Sequence, residues 1–408
     1  MKNLLKMSMR STCRSYSRNC NLLLIFFSMV AISQNSCVSI SPEKLILKSV
    51  EFPALPPALG DSVQPGLAVP ITGAHGNFVL VAGGANFENG LPWRGGKKKY
   101  HDEIFLMEKT ASDNYLWKQS SERLPFAMAY PACVSAEQGV ISIGGEDFDS
   151  PVSDVILFSF QDGNVKRTSW PGLPVATSSA GAALIDSTIF VAGGLTSEGA
   201  TSAFYSFNLN QPEKGWRSLP ELPVALSHAV VVSQNDSTET CIYVLGGRNK
   251  TSDVSTFLSS VWKYTPSIQK WSLESDIIFD GKPLGISAGT GIAAGSNHIF
   301  LFGGDPGIFF NRTERLNNTI EKASGEEKRY KLWHEKDSML SNHPGFSKDI
   351  LAFNTLSKIW EKIGEMAGES PVTTTAFSWN GTIAIPSGEV RPGVRTPNVI
   401  GIDIQIEK

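Results

Sequence analysis

Apolar and polar positions alternate over short runs along most of this chain, and five of the apolar runs end the same way. They read Phe78-Val79-Leu80-Val81-Ala82-Gly83-Gly84, Val140-Ile141-Ser142-Ile143-Gly144-Gly145, Ile189-Phe190-Val191-Ala192-Gly193-Gly194, Ile242-Tyr243-Val244-Leu245-Gly246-Gly247 and Ile299-Phe300-Leu301-Phe302-Gly303-Gly304. A short apolar run closed by a turn signal predicts a buried strand. The first glycines of the pairs are 61, 49, 53 and 57 residues apart, and self-similarity at such a period predicts a repeat architecture. After most pairs comes a second alternating strand, then a Trp-bearing strand that runs into a turn. Examples are Trp117 before Leu124-Pro125, Trp170 before Leu173-Pro174 and Trp216 before Leu219-Pro220, followed by Trp271 and Trp360.

This pattern resembles the kelch repeat, in which four strands make a blade, glycines serve where backbones crowd the axis, and an aromatic packs blade against blade. The resemblance implies an all-β fold, a six-bladed kelch-type β-propeller. Thr373 to Trp379, Thr382 to Pro386 and Asn398 to Ile404 supply three strands of the sixth blade. The N-terminal segment Leu45 to Phe52 is the expected fourth, closing the ring and removing its free edges. Two stretches do not fit plain blades. Residues 87–101 read as a long basic and aromatic loop, and residues 305–346 read as a helical insertion in the fifth blade, with one or two surface helices between Thr313 and Leu340.

Composition agrees with many short strands joined by turns: charged residues make up only 18%, while Gly reaches 37 and Pro 23. Residues 1–33 are of another kind. Lys2, Lys6, Arg10, Arg14 and Arg18 precede the first acidic residue, Glu43, and an apolar run extends from Leu22 to Ile32. This is the pattern of a signal peptide with a cleavage site at Ala31-Ile32-Ser33, and the run is shorter than the roughly 18 apolar residues of a membrane span. The expected plan is a signal segment at 1–33 and a propeller domain at 34–408, exported to the periplasm. Cys37 lies where an acylated cysteine would, so a lipid anchor there is the alternative.

Without the five basic residues of the signal, 31 basic side chains face 39 acidic ones, a net charge of −8. Nucleic acid is therefore excluded as a partner, and an anionic ligand needs a local counter-charge. The six histidines show no ligand-type clustering, so no metal and no cofactor is expected. Cys133 and Cys241 fall in non-adjacent blades and are expected as buried thiols.

Where a sixth Gly-Gly is due, the chain reads Ser387-Gly388-Glu389-Val390-Arg391-Pro392-Gly393-Val394-Arg395-Thr396. A degenerate repeat with charged loop residues is one reading. The other is a site: Glu389 starts near the channel mouth, where propellers bind ligands, and Arg391 or Arg395 offers a two-pronged donor to an anion.

The string from Gly388 to Thr396 closely resembles the signature of the sialic-acid mutarotases, also called N-acetylneuraminate epimerases. The Gly83-Gly84-Ala85-Asn86-Phe87 strand end, the stretch from Lys97 to Asp102 and the insertion with Ile308-Phe309-Phe310 are similar to that family too. The blade order looks like a cyclically permuted branch of it, since enterobacterial members begin near what is here the third blade. The resemblance implies an isomerase that interconverts the α and β anomers of N-acetylneuraminate, an acidic sugar, by acid/base ring opening and reclosure, with Glu389 in the place of the family's proton acceptor and Arg395 in that of its essential arginine. A mutarotase for another keto sugar acid, or a non-catalytic kelch propeller that binds a carbohydrate or protein partner, is the alternative. Asn86 and Glu146 follow inner-strand glycines as Glu389 does, and either line the mouth or serve the turn. Arg248 is a second anion contact or a blade-to-blade ion pair. Phe309 packs on the sugar's apolar face or seats the insertion.

Overall fold

The computed structural model describes residues 44–407, except 111–113, 149 and 162–163. The segment 1–33 and Cys37 lie outside the described residues. Among those described, no helix is long and apolar enough to cross a membrane.

Six four-stranded antiparallel sheets follow one another along the chain. Blade 1 is built from Ile71–His75, Phe78–Ala82, Glu103–Lys109 and Tyr115–Arg123, and blades 2 to 5 repeat that order over 132–170, 181–218, 230–276 and 290–365. Blade 6 comprises Phe377–Trp379, Thr382–Pro386 and Val399–Glu407, and its outermost strand is Lys44–Glu51. That strand pairs along its whole length, from Lys44 opposite Glu407 to Glu51 opposite Ile400. The ring is thus closed by the N-terminal strand, as expected.

The inner strands are apolar throughout because both of their faces are buried. In Phe78–Ala82, Leu80 packs with Val140, Ile156 and Phe158 of blade 2, while Val79 and Val81 pack with Phe377, Trp379 and Ala384 of blade 6. Full burial of one such side chain is worth about 1.5–3 kcal/mol. The tryptophans add a polar tie. The Nε1 of Trp117, Trp216 and Trp271 donates at 2.8 Å to the carbonyl of Pro53, Pro171 and Pro220, the proline leaving the outer strand of the preceding blade. Cys133 and Cys241 are buried free thiols in blades 2 and 4.

The first glycine of each pair has φ between 60° and 64° and the second between 92° and 114°. Ser387 and Gly388 take the same conformation, with φ of 57° and 113°. Ser387 is fully buried; its hydroxyl accepts the Leu67 N–H and donates to the Thr396 carbonyl, each at 2.7 Å, which holds a non-glycine residue in the left-handed region. Gly388 has no such latitude, because a Cβ there would stand 2.7 Å from the Val372 carbonyl oxygen.

Residues 87–101 are not a plain loop. They belong to a ribbon of Ala85–Glu88 paired with Lys97–Tyr100, with a tight turn at Pro92–Arg94. Short ribbons also follow the inner strands of blades 2, 3, 4 and 6. In blade 5 the place is taken by two helices, α1 (Ile308–Lys322) and α2 (Glu326–Ser341).

Candidate functional site

The residue after each glycine pair occupies one equivalent place in every blade. Ala85, Glu146, Leu195, Arg248, Asp305 and Glu389 each form an antiparallel bridge to the segment entering their own blade, at Ala68, Ala129, Ser178, Ser227, Ser287 and Val372. The next residues on those entering segments, Val69, Tyr130, Ser179, His228, Ala288 and Thr373, all have φ between 37° and 60°. Their amides close a ring around the axis: each N–H donates to the carbonyl of its counterpart in the preceding blade, at 2.7–3.0 Å. Left-handed backbone costs roughly 1 kcal/mol or more per non-glycine residue, most for a β-branched one such as Thr373. Six linked hydrogen bonds hold it at the channel mouth.

On this ring stands a cavity of about 590 Å³. Tyr130, His228, Ala288 and Thr373 of the ring line it, with Arg248, Asp305 and Glu389 from blades 4, 5 and 6. Phe309, Phe310 and Phe346 of the insertion and Phe87 and Trp93 of the blade 1 ribbon supply its apolar surface. Insertion and ribbon are joined across it. Trp93 Nε1 donates to Asp337 Oδ1 at 2.8 Å, and Arg94 forms a two-pronged pair with the same carboxylate at 2.5 and 2.9 Å.

Glu389 and Arg395 face each other across the sixth ribbon. Glu389 Oε2 lies 3.2 Å from Arg395 Nη2, and Oε1 accepts the Gly393 N–H at 2.9 Å. Burial pushes the Glu389 carboxyl above its usual range, opposed by the Arg395 charge and the Gly393 N–H. The Arg395 guanidinium lies 4.7 Å from the centre of the Phe87 ring. Its Nε and Nη1 are buried and have no hydrogen-bond partner among the described residues.

Arg248 lies over Phe310, 4.4 Å from the ring centre, and its Nη2 is 3.4 Å from His228 Nε2. Burial, then the Arg248 charge, hold His228 neutral, well below the ordinary histidine range. Phe309 lines the cavity and rests on His343, with ring centres 4.5 Å apart.

Other residues singled out by sequence stand elsewhere. Asn86 is buried away from this cavity; its Nδ2 donates to the Gly66 carbonyl at 3.2 Å and its Oδ1 lies 3.0 Å from His101 Nε2. Glu146 accepts from Lys98 at 2.6 Å and from the Tyr100 hydroxyl at 2.7 Å, and so fixes Lys98, which lines the cavity in its place. Arg391 is exposed and outside the cavity. Among the described residues no group of three or more His, Cys, Asp or Glu is placed to hold a metal ion. Sequence reasoning missed Asp305, although it follows Gly303-Gly304 just as Glu389 follows Ser387-Gly388. Tyr130 and His228 carried no local signal.

A family model described as N-acetylneuraminate epimerase matches residues 170–408, more than half of the chain. Arg248, Asp305, Phe309, Glu389 and Arg395 lie inside the match; Asn86, Lys98 and Glu146 lie outside it. The curated N-acetylneuraminate epimerase of Pasteurella multocida (strain Pm70) is 25% identical over 231 residues, 56% of this chain and 57% of its own length. That of Salmonella enteritidis PT4 (strain P125109) is 25% identical over 232 residues, 56% of each chain. The chain thus spans little more than half the length of these relatives. The solved structure titled "Structure of YjhT" superposes with a TM-score of 0.57 over 87% of this chain and 99% of that one, at 12% identity, a likeness of fold.

Proposed function

The chain belongs to the N-acetylneuraminate epimerase family, and from that premise we propose that it interconverts the α and β anomers of N-acetylneuraminate by opening and reclosing the sugar ring. The observation that carries this reading is the buried pair of Glu389 and Arg395 in the cavity wall. Glu389 is a carboxylate with a raised pKa, suited to take the proton of the anomeric hydroxyl. Arg395 keeps two buried donors without partners among the described residues, and an unanswered donor in a cavity wall calls for an acceptor. The substrate carboxylate fits that need and would keep the open keto form in place. Arg248 is the second cation for the same anion, and Phe309, Phe310 and Phe87 offer apolar surface to the sugar. Base help of this kind is worth about 10² to 10⁴ in rate.

The match begins at residue 170, at the turn into blade 3, which supports a permuted blade order. The basic and apolar segment at 1–33 supports export, with Cys37 as the alternative anchor. The test is proton NMR of freshly prepared α-N-acetylneuraminate. Purified protein is expected to speed its equilibration, and equal rates with and without protein would refute the reading. Faster turnover of a different keto sugar acid would keep the chemistry and change the substrate.

A further inference from the structure

We infer that Asp305 is the acid of this reaction, giving its proton to the ring oxygen while Glu389 takes one from the anomeric hydroxyl. The inference rests on the ring-opening reading and names the second proton carrier that reading requires. Asp305 and Glu389 occupy equivalent places on adjacent blades, and both line the one cavity. A substrate seated on the ring of amides therefore meets one carboxyl group from each blade.

The two groups differ in what holds them. Glu389 has a guanidinium nitrogen at 3.2 Å and a backbone N–H, which favours the ionised form. Asp305 Oδ1 accepts the Gly307 N–H at 2.7 Å, and among the described residues its carboxylate has no ion-pair partner. The nearby Arg248 is turned onto Phe310 and His228. Burial raises the Asp305 pKa against the pull of that N–H and of Arg248. Burial raises both carboxyl groups, but only Glu389 has a guanidinium in contact, and that difference in counter-charge divides base from acid.

The other titratable groups of the cavity are paired or are weaker acids, Lys336 donating to Asn317 Oδ1 at 3.0 Å. Glu314 is held below the usual carboxylate range, against the cost of its burial, by Lys250 and the Ser255 N–H. Burial, ahead of nearby cations, keeps His228 and His343 neutral, and it makes the Tyr130 phenol a weaker acid than usual. Lys98 is ion-paired with Glu146.

In the opening step the O–H bond at the anomeric carbon breaks and its proton goes to Glu389. The electron pair forms the carbonyl as the bond to the ring oxygen breaks, and that oxygen takes the Asp305 proton. The open keto form then faces protonated Glu389 and ionised Asp305. After rotation the hydroxyl attacks the other face of the carbonyl, its proton returns to Asp305, and Glu389 protonates the new anomeric oxygen. Atoms and charges balance, and no cofactor is needed.

The test compares wild type, Asp305→Asn and Asp305→Ala in the NMR assay, with folding checked by circular dichroism. Asparagine keeps an acceptor for the Gly307 N–H and removes the proton. The expected result is a kcat about 10² or more below wild type with KM little changed, and partial recovery of Asp305→Ala by added formate. A folded Asp305→Asn with kcat within about threefold of wild type, or one that changes KM alone, overturns the assignment. If Asp305→Asn does not fold, a folded Asp305→Ala that formate fails to restore overturns it as well. An inactive wild type instead removes the ring-opening reading, and the assignment falls with it.

Discussion

Glu389 and Arg395 sit opposite each other on the two strands of one ribbon, joined by a Pro-Gly turn, with Oε2 and Nη2 3.2 Å apart. The arginine side chain is only 3% exposed, so removing it leaves a buried carboxyl without its counter-charge. Arg395→Ala is expected to raise the Glu389 pKa further and to move the acid limb of kcat/KM to higher pH. Arg395→Lys keeps the charge but not the planar fork. It should leave the acid limb nearer its place while KM rises, and a pH profile of both variants by NMR checks this.

In the wild type, the sign of the Glu389 shift sets the pH dependence. A base works only when ionised, and its pKa lies above the ordinary 4.5. Activity should therefore be lost as pH falls through a value above 4.5, and Glu389→Gln should lower kcat by about 10² to 10⁴ without unfolding the protein.

Asp337 is the point where the insertion and the blade 1 ribbon are fastened, through Trp93 and Arg94. Asp337→Asn weakens the two-pronged pair. Because Arg94 is solvent-exposed, stability should hardly change. The expected effects are a higher KM and faster hydrogen exchange of α2 amides, measured by mass spectrometry.

Glu103 stabilises the base of that ribbon. Its pKa is held at about 2 by the hydrogen bond from His101, against the cost of burial and with help from Arg123. A depressed carboxyl contributes stability above its unfolded pKa and loses it as pH falls toward the folded one. Glu103→Gln should cost about 1 kcal/mol at neutral pH after solvent screening. The difference should vanish as pH drops from the ordinary glutamate range toward 2, and urea denaturation at several pH values measures it.

Closure of the ring depends on the Lys44–Glu51 strand and on the Trp117 bond to Pro53 just beyond it. Trp117→Phe keeps the ring and loses that bond, at about 1 kcal/mol in thermal or urea unfolding. A chain starting after residue 52 should do worse, since the Val399–Glu407 strand becomes an open edge, and self-association in size-exclusion chromatography is the expected sign.

Much of this was legible in the chain before any coordinates. Buried apolar runs and the need for left-handed backbone after them are local demands, so five runs ending in Gly-Gly marked five blades, while the strands between Thr373 and Ile404, the N-terminal segment Leu45 to Phe52 and the likeness to the kelch repeat supplied the sixth and the closure. The motif from Gly388 to Thr396 marked one ribbon as chemical for the same reason: its residues are neighbours in sequence. Three-dimensional juxtaposition left no such mark. Ser387-Gly388 looks like a broken repeat, yet one buried hydroxyl keeps the backbone of the other five blades. Glu146 shares the position of Glu389, but Lys98 and Tyr100 occupy its side chain; Asn86 stands one residue beyond the equivalent Ala85 and is held by the Gly66 carbonyl and His101. Asp305 follows its glycine pair as Glu389 follows Ser387-Gly388, but only the structure puts both carboxyl groups in one cavity. The sequence alone determined the strands, their turns and the order of the ring. Which side chains share one cavity, and which carboxyl group there has a counter-charge in contact, was decided by tertiary structure, because burial and counter-charge come from residues far apart in the chain.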